Sequence, residues 1–324
     1  MLRGFINVDK PQGITSFDVV RQIRRAAGTR KVGHAGTLDP NATGVLPIAI
    51  GDATRLIDEL VDTHKRYTAG IVFGVATDTY DVEGEVTAEH DASHLTEAAV
   101  REALAPFAGE IQQRPPPFSA VKRNGVTAYR AARAGTPLEL EPRPVLILAT
   151  DLLTFDRTNP GRPTATVDVR CGKGFYVRSL AHELGEQLGV GAHLNTLRRT
   201  QVGPFAADQA IPLDRAVEAL AAGAHEGVLL PADVVISHWP SVIANRDQIV
   251  QIRHGRDIVA MPTPAPRPGA ELPRGLRVRC YNLKGDLVAL LKPSTTPGNW
   301  HPYRVFAPDE APSDAGTSID TSAR

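Results

Sequence analysis

Fifteen residues from Gly33 to Pro47, Gly-His-Ala-Gly-Thr-Leu-Asp-Pro-Asn-Ala-Thr-Gly-Val-Leu-Pro, hold one imidazole and one carboxylate among three glycines and two prolines. Glycine and proline force turns that few other residues permit, so His34 and Asp39, the groups able to do chemistry, sit in a sharply turned loop. Taken alone, Leu38-Asp39-Pro40 reads as an ordinary turn leading into the apolar run Val45 to Ile50. A second candidate is Gly172-Lys173-Gly174, which is followed by Tyr176 and Arg178 and a helical pattern. A glycine-rich turn at a helix start is a generic anion site.

The elements that must position these groups follow from spacing. Phe5 to Val8 reads as a strand ended by Lys10-Pro11-Gln12-Gly13, and Thr15-x-x-Asp18 has the form of a capping box. A helix follows with Phe17, Val20, Ile23 and Ala27 at helical spacing and Gly28 as its stop. Its outer face and exit carry Arg21, Arg24, Arg25, Arg30 and Lys31 with no acidic residue between positions 21 and 31, which is either a solvated helix face or a basic patch. Lys65 to Gly74 reads as a strand with Tyr67, Ala69, Ile71 and Phe73 on one face, where a core tyrosine is the ordinary reading of Tyr67. The carboxylates between Thr77 and Val86 lie along a strand-turn-strand connection and read as solvated, because they lack the spacing of a metal loop. Thr164 to Cys171 alternates as a strand, and Leu180, Leu184 and Leu188 mark a helix ended near Gly189.

Length and charge set outer limits. A chain of 324 residues is long enough for one large domain plus a smaller one. Its 36 basic and 36 acidic residues balance, which excludes binding to nucleic acid by bulk positive charge and leaves only local patches. Cys171 and Cys280 are too few and too far apart for a disulfide framework or a zinc site, so a reducing compartment is expected. No apolar run reaches the length of a membrane span and no signal-peptide pattern is present, so the chain reads as soluble and cytoplasmic.

The full string from Gly33 to Pro47 closely resembles the catalytic motif of the bacterial tRNA pseudouridine-55 synthases, the TruB family, and places Asp39 on the family's catalytic aspartate. Ala35 and Asn41 are peripheral departures, standing where the family usually has threonine and often an aliphatic residue. Asp9 to Ser16 resembles the family's first motif, in which lysine and proline brace the catalytic loop; Lys10 and Pro11 match them. Tyr67, following Lys65-Arg66, resembles the active-site tyrosine that stacks on the target uracil. Arg178 matches the arginine that pairs with the aspartate, Tyr176 an aromatic of the pocket floor, and Leu197 a pocket wall beside Arg198 and Arg199, which are candidate phosphate contacts. His34 matches the histidine that fills the space left in the RNA. Phe118 and Phe175 replace a frequent tyrosine and a usual threonine.

The resemblance, strong over about residues 4 to 205 and looser over 232 to 306, implies an α+β pseudouridine synthase fold with a central, largely antiparallel mixed sheet. It implies a catalytic domain over 1–230 with a thumb-like RNA-binding insertion at about 113–142 and a small β-rich PUA-like RNA-binding domain over 231–308; the polar, mildly acidic composition of 309–324 reads as a disordered tail. The resemblance further implies isomerisation of uridine 55 in the T-loop of tRNA to pseudouridine, with no cofactor and no metal, the tRNA T-arm as partner, no membrane, no obligatory protein partner and a monomeric state. Such a reaction needs a carboxylate nucleophile, Asp39, which a cation such as Arg178 must keep charged in a dry pocket. The stacked uridine must be extruded, and stacking on Tyr67 offsets part of that cost. Two other classes fit the same residues: a non-catalytic RNA-binding or tRNA-folding protein, and a guide-RNA-dependent synthase working in a particle.

Overall fold

The computed structural model describes residues 2–123, 125–264 and 275–306 and divides the chain into two compact units at Val235/Ile236. In the first unit the order is β1 (Gly4–Lys10), α1 (Ser16–Ala26), β2 (Val32–His34), β3 (Thr43–Ile50), α2 (Ile57–Val61), β4 (Lys65–Phe73), β5 (Val75–Thr77) and β6 (Val86–Glu89). Then come α3 (Glu97–Leu104), β7 (Gly109–Gln113), β8 (Lys122–Arg123), β9 (Val126–Thr127), α4 (Ala128–Arg133), β10 (Arg143–Asp156) and β11 (Thr164–Cys171). The unit closes with α5 (Val177–Gln187), β12 (Ala192–Val202), β13 (Phe205–Ala206), β14 (Ile211–Pro212) and α6 (Leu213–Ala221).

Ten strands form one sheet in the order β14-β1-β3-β12-β4-β11-β10-β7, with β2 on β3 and β13 on β12. The pairs β3·β12 and β1·β14 are parallel and the others antiparallel, which is the mixed, largely antiparallel α+β sheet expected. The alternation in β4 holds: Ala69, Ile71 and Phe73 are fully buried, and Tyr67 packs at the junction of the two core clusters of this unit. One cluster lies between the sheet and α3 and α5, the other between the sheet and α1 and α6. Burial of these apolar faces is the main drive that fixes β3, β4 and β12 side by side.

Two local expectations change. The capping box of Thr15 and Asp18 forms, yet α1 buries Ser16, Val19, Val20 and Ile23, leaving Phe17 59% exposed. The helix is turned so that Ser16 reaches the Asp39 loop. On β11, Asp168 belongs by alternation to the polar face but is 5% exposed, because Arg66 Nε on the neighbouring strand bonds both its carboxylate oxygens at 2.8 and 3.0 Å.

The second unit contains β15 (Ser241–Ile243), α7 (Arg246–Arg253), β16 (Ile258–Val259), β17 (Val278–Tyr281), β18 (Leu287–Pro293) and β19 (Asn299–Val305). Its sheet runs β15-β17-β18-β19-β16 over a core that includes Val242, Ile252, Val278, Leu291 and Trp300. β17 and β18 pair antiparallel as a hairpin. The tail at 309–324 and most of the proline-rich stretch 262–273 lie outside the described residues. No helix among the described residues is long and apolar enough to cross a membrane.

Candidate active site

The Asp39 loop joins β2 to β3 and is tied down on both sides of the acid. Leu38 and Ser16 exchange two hydrogen bonds: the Leu38 amide donates to Ser16 Oγ at 2.8 Å, and the hydroxyl donates to the Leu38 carbonyl at 3.0 Å. The carbonyl of Pro40 accepts from the Gly13 amide at 2.9 Å and from Lys10 Nζ at 3.0 Å. Leu38 and Ala42 are buried in the core shared with α1. The flanks are thereby held in apolar packing while the Asp39 side chain stays 45% exposed.

Lys10 is wholly buried, and its ammonium donates to the carbonyls of Pro11, Ile14 and Pro40 at 2.9, 2.7 and 3.0 Å. Burial lowers its pKa to about 8; the neighbouring Asp39 carboxylate opposes that shift and the Arg199 guanidinium reinforces it. The Pro11 side chain lies in the exposed corner that follows.

Arg178 stands at the start of α5 with its side chain 9% exposed. Nε lies 3.0 Å from Asp39 Oδ2 and Nη1 lies 3.6 Å from Asp81 Oδ2. The remaining donors face the Thr79 carbonyl at 3.4 Å and the Phe118 carbonyl at 3.1 Å. A planar guanidinium with several fixed donors suits this arrangement, since one side chain orients the acid and ties it to two flanking loops. The segment at Asp81 is itself fixed on β12. The Tyr80 carbonyl accepts from the Leu194 amide at 3.0 Å and the Val82 amide donates to the Leu194 carbonyl at 2.9 Å. Tyr80 takes a left-handed φ of 64° and stacks on His182 of α5 with ring centroids 3.8 Å apart.

An open cleft lies over the pair, lined by Asp39, Asn41, Asp81, Arg178, Leu194 and Leu197 among others. Asp39, Arg178 and Leu197, singled out in the sequence, thus share one cleft. Tyr67 is packed against both cores beside Leu197. Burial raises its phenol pKa, the charge of the Arg199 guanidinium pulls the other way, and the Asp39 carboxylate adds to the rise. Tyr176 precedes Arg178; its amide and carbonyl are clamped by the Gln113 side chain at 2.8 and 3.1 Å, and burial raises its phenol pKa against the pull of Arg178. His34 stands apart from the cleft lining, on β2, half-buried with Nδ1 unpartnered. Burial first and Arg199 second lower its pKa, so the ring is held neutral.

Two readings are corrected. Asp81 is 16% exposed and faces Arg178, so it is not one of a row of solvated carboxylates. Arg199 is 1% exposed and cannot touch a phosphate, while Arg198 is paired to Asp9 through two bonds at 3.1 and 2.8 Å. Among the described residues no cluster of three His, Cys, Asp or Glu side chains is placed to hold a metal.

Residues 24–177 match the family described as TruB family pseudouridylate synthase (N terminal domain), and residues 178–237 match the tRNA pseudouridylate synthase B C-terminal domain. The chain belongs to the TruB family. The boundary between the two matches falls at Val177/Arg178, so Asp39 and Arg178 come from different matched regions and meet only in the folded unit. Relatives named tRNA pseudouridine synthase B include one from Arthrobacter sp., 45% identical over 95% of this chain and 98% of its own, and one from Symbiobacterium thermophilum, 50% identical over 78% and 82%. Among solved structures, the H/ACA RNP bound to a substrate RNA containing 2'-deoxyuridine includes a chain with a TM-score of 0.68 and 28% identity over 95% of this chain and 86% of that one. The pseudouridine synthase fold expected from the TruB resemblance is therefore present.

Proposed function

We propose that this chain isomerises uridine 55 in the T-loop of tRNA to pseudouridine. The N1–C1′ bond breaks, the uracil turns, and a C5–C1′ bond forms; N1 takes up a proton and C5 gives one up, so substrate and product are isomers. Asp39 is the nucleophile that carries the reacting nucleoside while the base reorients. Arg178 keeps the carboxylate charged and aimed, Tyr67 stacks on the everted base, and Leu197 and Tyr176 wall the pocket. His34, neutral and at the loop's edge, takes the wedge role in the RNA, and Lys10 and Pro11 hold the loop. The segment at about 113–142 acts as an RNA-binding thumb. Residues 231–308 act as a PUA-like RNA-binding domain.

The observation that carries this reading is the 3.0 Å contact between Arg178 Nε and Asp39 Oδ2 at the floor of an open cleft. Relatives that match nearly end to end bear the name tRNA pseudouridine synthase B, which supports tRNA as the substrate. The test is a purified protein on a bare T-arm transcript. Asp39→Asn is expected to abolish pseudouridine formation while RNA affinity stays within about threefold, because a substitution of near-equal shape removes the nucleophile and leaves the binding surface. Surviving activity in that variant would remove Asp39 from the mechanism, and a strict need for partner proteins would point to a particle-bound enzyme instead.

A further inference from the structure

Arg199 is the largest of the fully buried side chains, 1% exposed. On β12 it lies opposite Gly44 of β3 on one side and opposite Tyr67 of β4 on the other. Its Nε donates to the Val45 carbonyl at 2.8 Å and Nη2 to the Gly36 carbonyl at 3.0 Å. Gly36 and Val45 bracket Asp39 in the chain, so one planar fork spans the neck of the loop that carries the acid.

Two glycines of the loop make room for this residue. Gly44 has a φ of 101°, and a Cβ there would stand 2.2 Å from the Arg199 carbonyl oxygen. Gly36 has a φ of 87°, and a Cβ there would stand 3.2 Å from Arg199 Nη1. The two named acceptors are both neutral carbonyls. A buried cation pays a desolvation cost that a carboxylate partner ordinarily offsets, and here the return is the order of the loop. Lysine, a single point charge, cannot reproduce a fork that reaches two carbonyls at once.

We propose that Arg199 is a positioning residue for the isomerisation: it closes the neck of the Asp39 loop from the strand position paired with Tyr67, so that carboxylate and ring keep one spacing. The role rests on the reading of Asp39 as nucleophile and Tyr67 as the stacking ring. Arg199 touches neither RNA nor the reacting atoms; its effect on them runs through Gly36, Val45 and Tyr67.

The test uses the full chain with Arg199→Met and Arg199→Lys, following kcat, KM and RNA affinity on a T-arm transcript and amide hydrogen exchange in the loop. In Arg199→Met, kcat per folded molecule should fall about 100-fold, the size of loss that misplacing a reacting group brings, while RNA affinity stays within about threefold. Arg199→Lys should recover roughly tenfold of that loss, as a lysine can serve one carbonyl but not the fork. The amides of Ala35 and Ala42, which bond to the Pro47 and Asp39 carbonyls, should exchange faster in both variants. If Arg199→Met does not fold, Arg199→Lys carries the test, with kcat about tenfold below the parent at unchanged affinity. An unchanged kcat per folded molecule, a loss confined to RNA affinity, or unchanged protection of Ala35 and Ala42 would each overturn the proposal. Should the parent itself fail to convert the transcript, the function proposed above falls, and the exchange measurement still decides whether Arg199 clasps the loop.

Discussion

Arg178 reaches Asp39 from below: the guanidinium is 9% exposed, the carboxylate 45%, and they meet at 3.0 Å. The cation is the fixed partner, because Asp81, the Thr79 carbonyl and the Phe118 carbonyl also hold it, whereas the acid faces the cleft. Arg178→Lys keeps the charge but loses the fork, so kcat should fall about 100-fold or more with RNA affinity little changed. Asp81→Asn keeps the shape and removes one of the two carboxylates on the guanidinium, and about a tenfold loss of kcat is expected. Because both changes act through one network, the double variant should lose less than the product of the two. Single-turnover rates on a T-arm transcript check this, and a fully multiplicative double variant would dissolve the network.

Lys10 gives a pH dependence with a definite sign. Its ammonium has three N–H donors and serves three carbonyls, among them that of Pro40 beside Asp39; the neutral amine has only two donors. With the pKa lowered from 10.5 to about 8 by burial, the amine form takes over above that pH in the folded state. A kcat profile is therefore expected to decline on the alkaline side with an apparent pKa near 8, and Lys10→Met should remove that limb while lowering kcat throughout. Stability runs the other way: between about 8 and 10.5 the unfolded chain binds more protons than the folded one, so the desolvation penalty is relieved as pH rises through this window. A parent profile flat to pH 9.5 would exclude Lys10 as the titrating group.

The RNA footprint is narrower than the basic runs suggest. Arg21 is paired to Asp18, Lys31 to Asp52 and Arg198 to Asp9, while Arg199 is inside. Exposed Arg130 and Arg133 belong to α4 of the thumb-like segment, where Arg133 also lies 5.5 Å from the Tyr129 ring centre. Arg130→Ala is expected to reduce the slope of log affinity against log salt by roughly 0.7–0.9, the value for one phosphate contact. Arg198→Ala should change the slope much less. Salt titrations of RNA binding separate the two, and equal slopes in parent and Arg130→Ala would take that residue off the RNA.

Much of the site was legible because its signals are local. The strand alternation of β4, the capping box at Thr15 and the glycine-proline loop around Asp39 each follow from residues close in sequence. Asp81 was not legible: its turn looks like any acidic turn until Leu194 of β12 pins it beside Arg178. Phe17 was assigned to the core by helical spacing, which fixes a repeat but not which face turns inward; the Ser16–Leu38 bonds settle that. For Arg199 a signal was available. It stands two residues after Leu197, and a strand places such residues on one face; with Leu197 read as a pocket wall, its neighbour on that face pointed inward despite its charge.

Glu183 supplies a test of how α5 holds the thumb-like segment. It is half-buried beside Arg114, and burial raises its pKa from 4.5 to about 7 although the Arg114 backbone bond and the Arg114 charge both oppose the rise. On the same helix Ser179 Oγ donates to the Arg114 carbonyl at 2.7 Å, which ties the entry to Pro115-Pro116-Pro117 to α5. Between pH 4.5 and about 7 the folded state binds more protons than the unfolded one, so this group's contribution favours folding at low pH and is lost as pH rises through that range. Glu183→Gln keeps the shape of the side chain and carries no charge. It should therefore leave stability near pH 5 almost unchanged and raise it above pH 7 by roughly 1 kcal/mol, after discounting the shift for solvent screening. Paired thermal melts of parent and variant at pH 5 and pH 8 check the sign: a gain at pH 5 only, or a loss at pH 8, would mean that the carboxylate is held charged by Arg114 and that burial does not govern it.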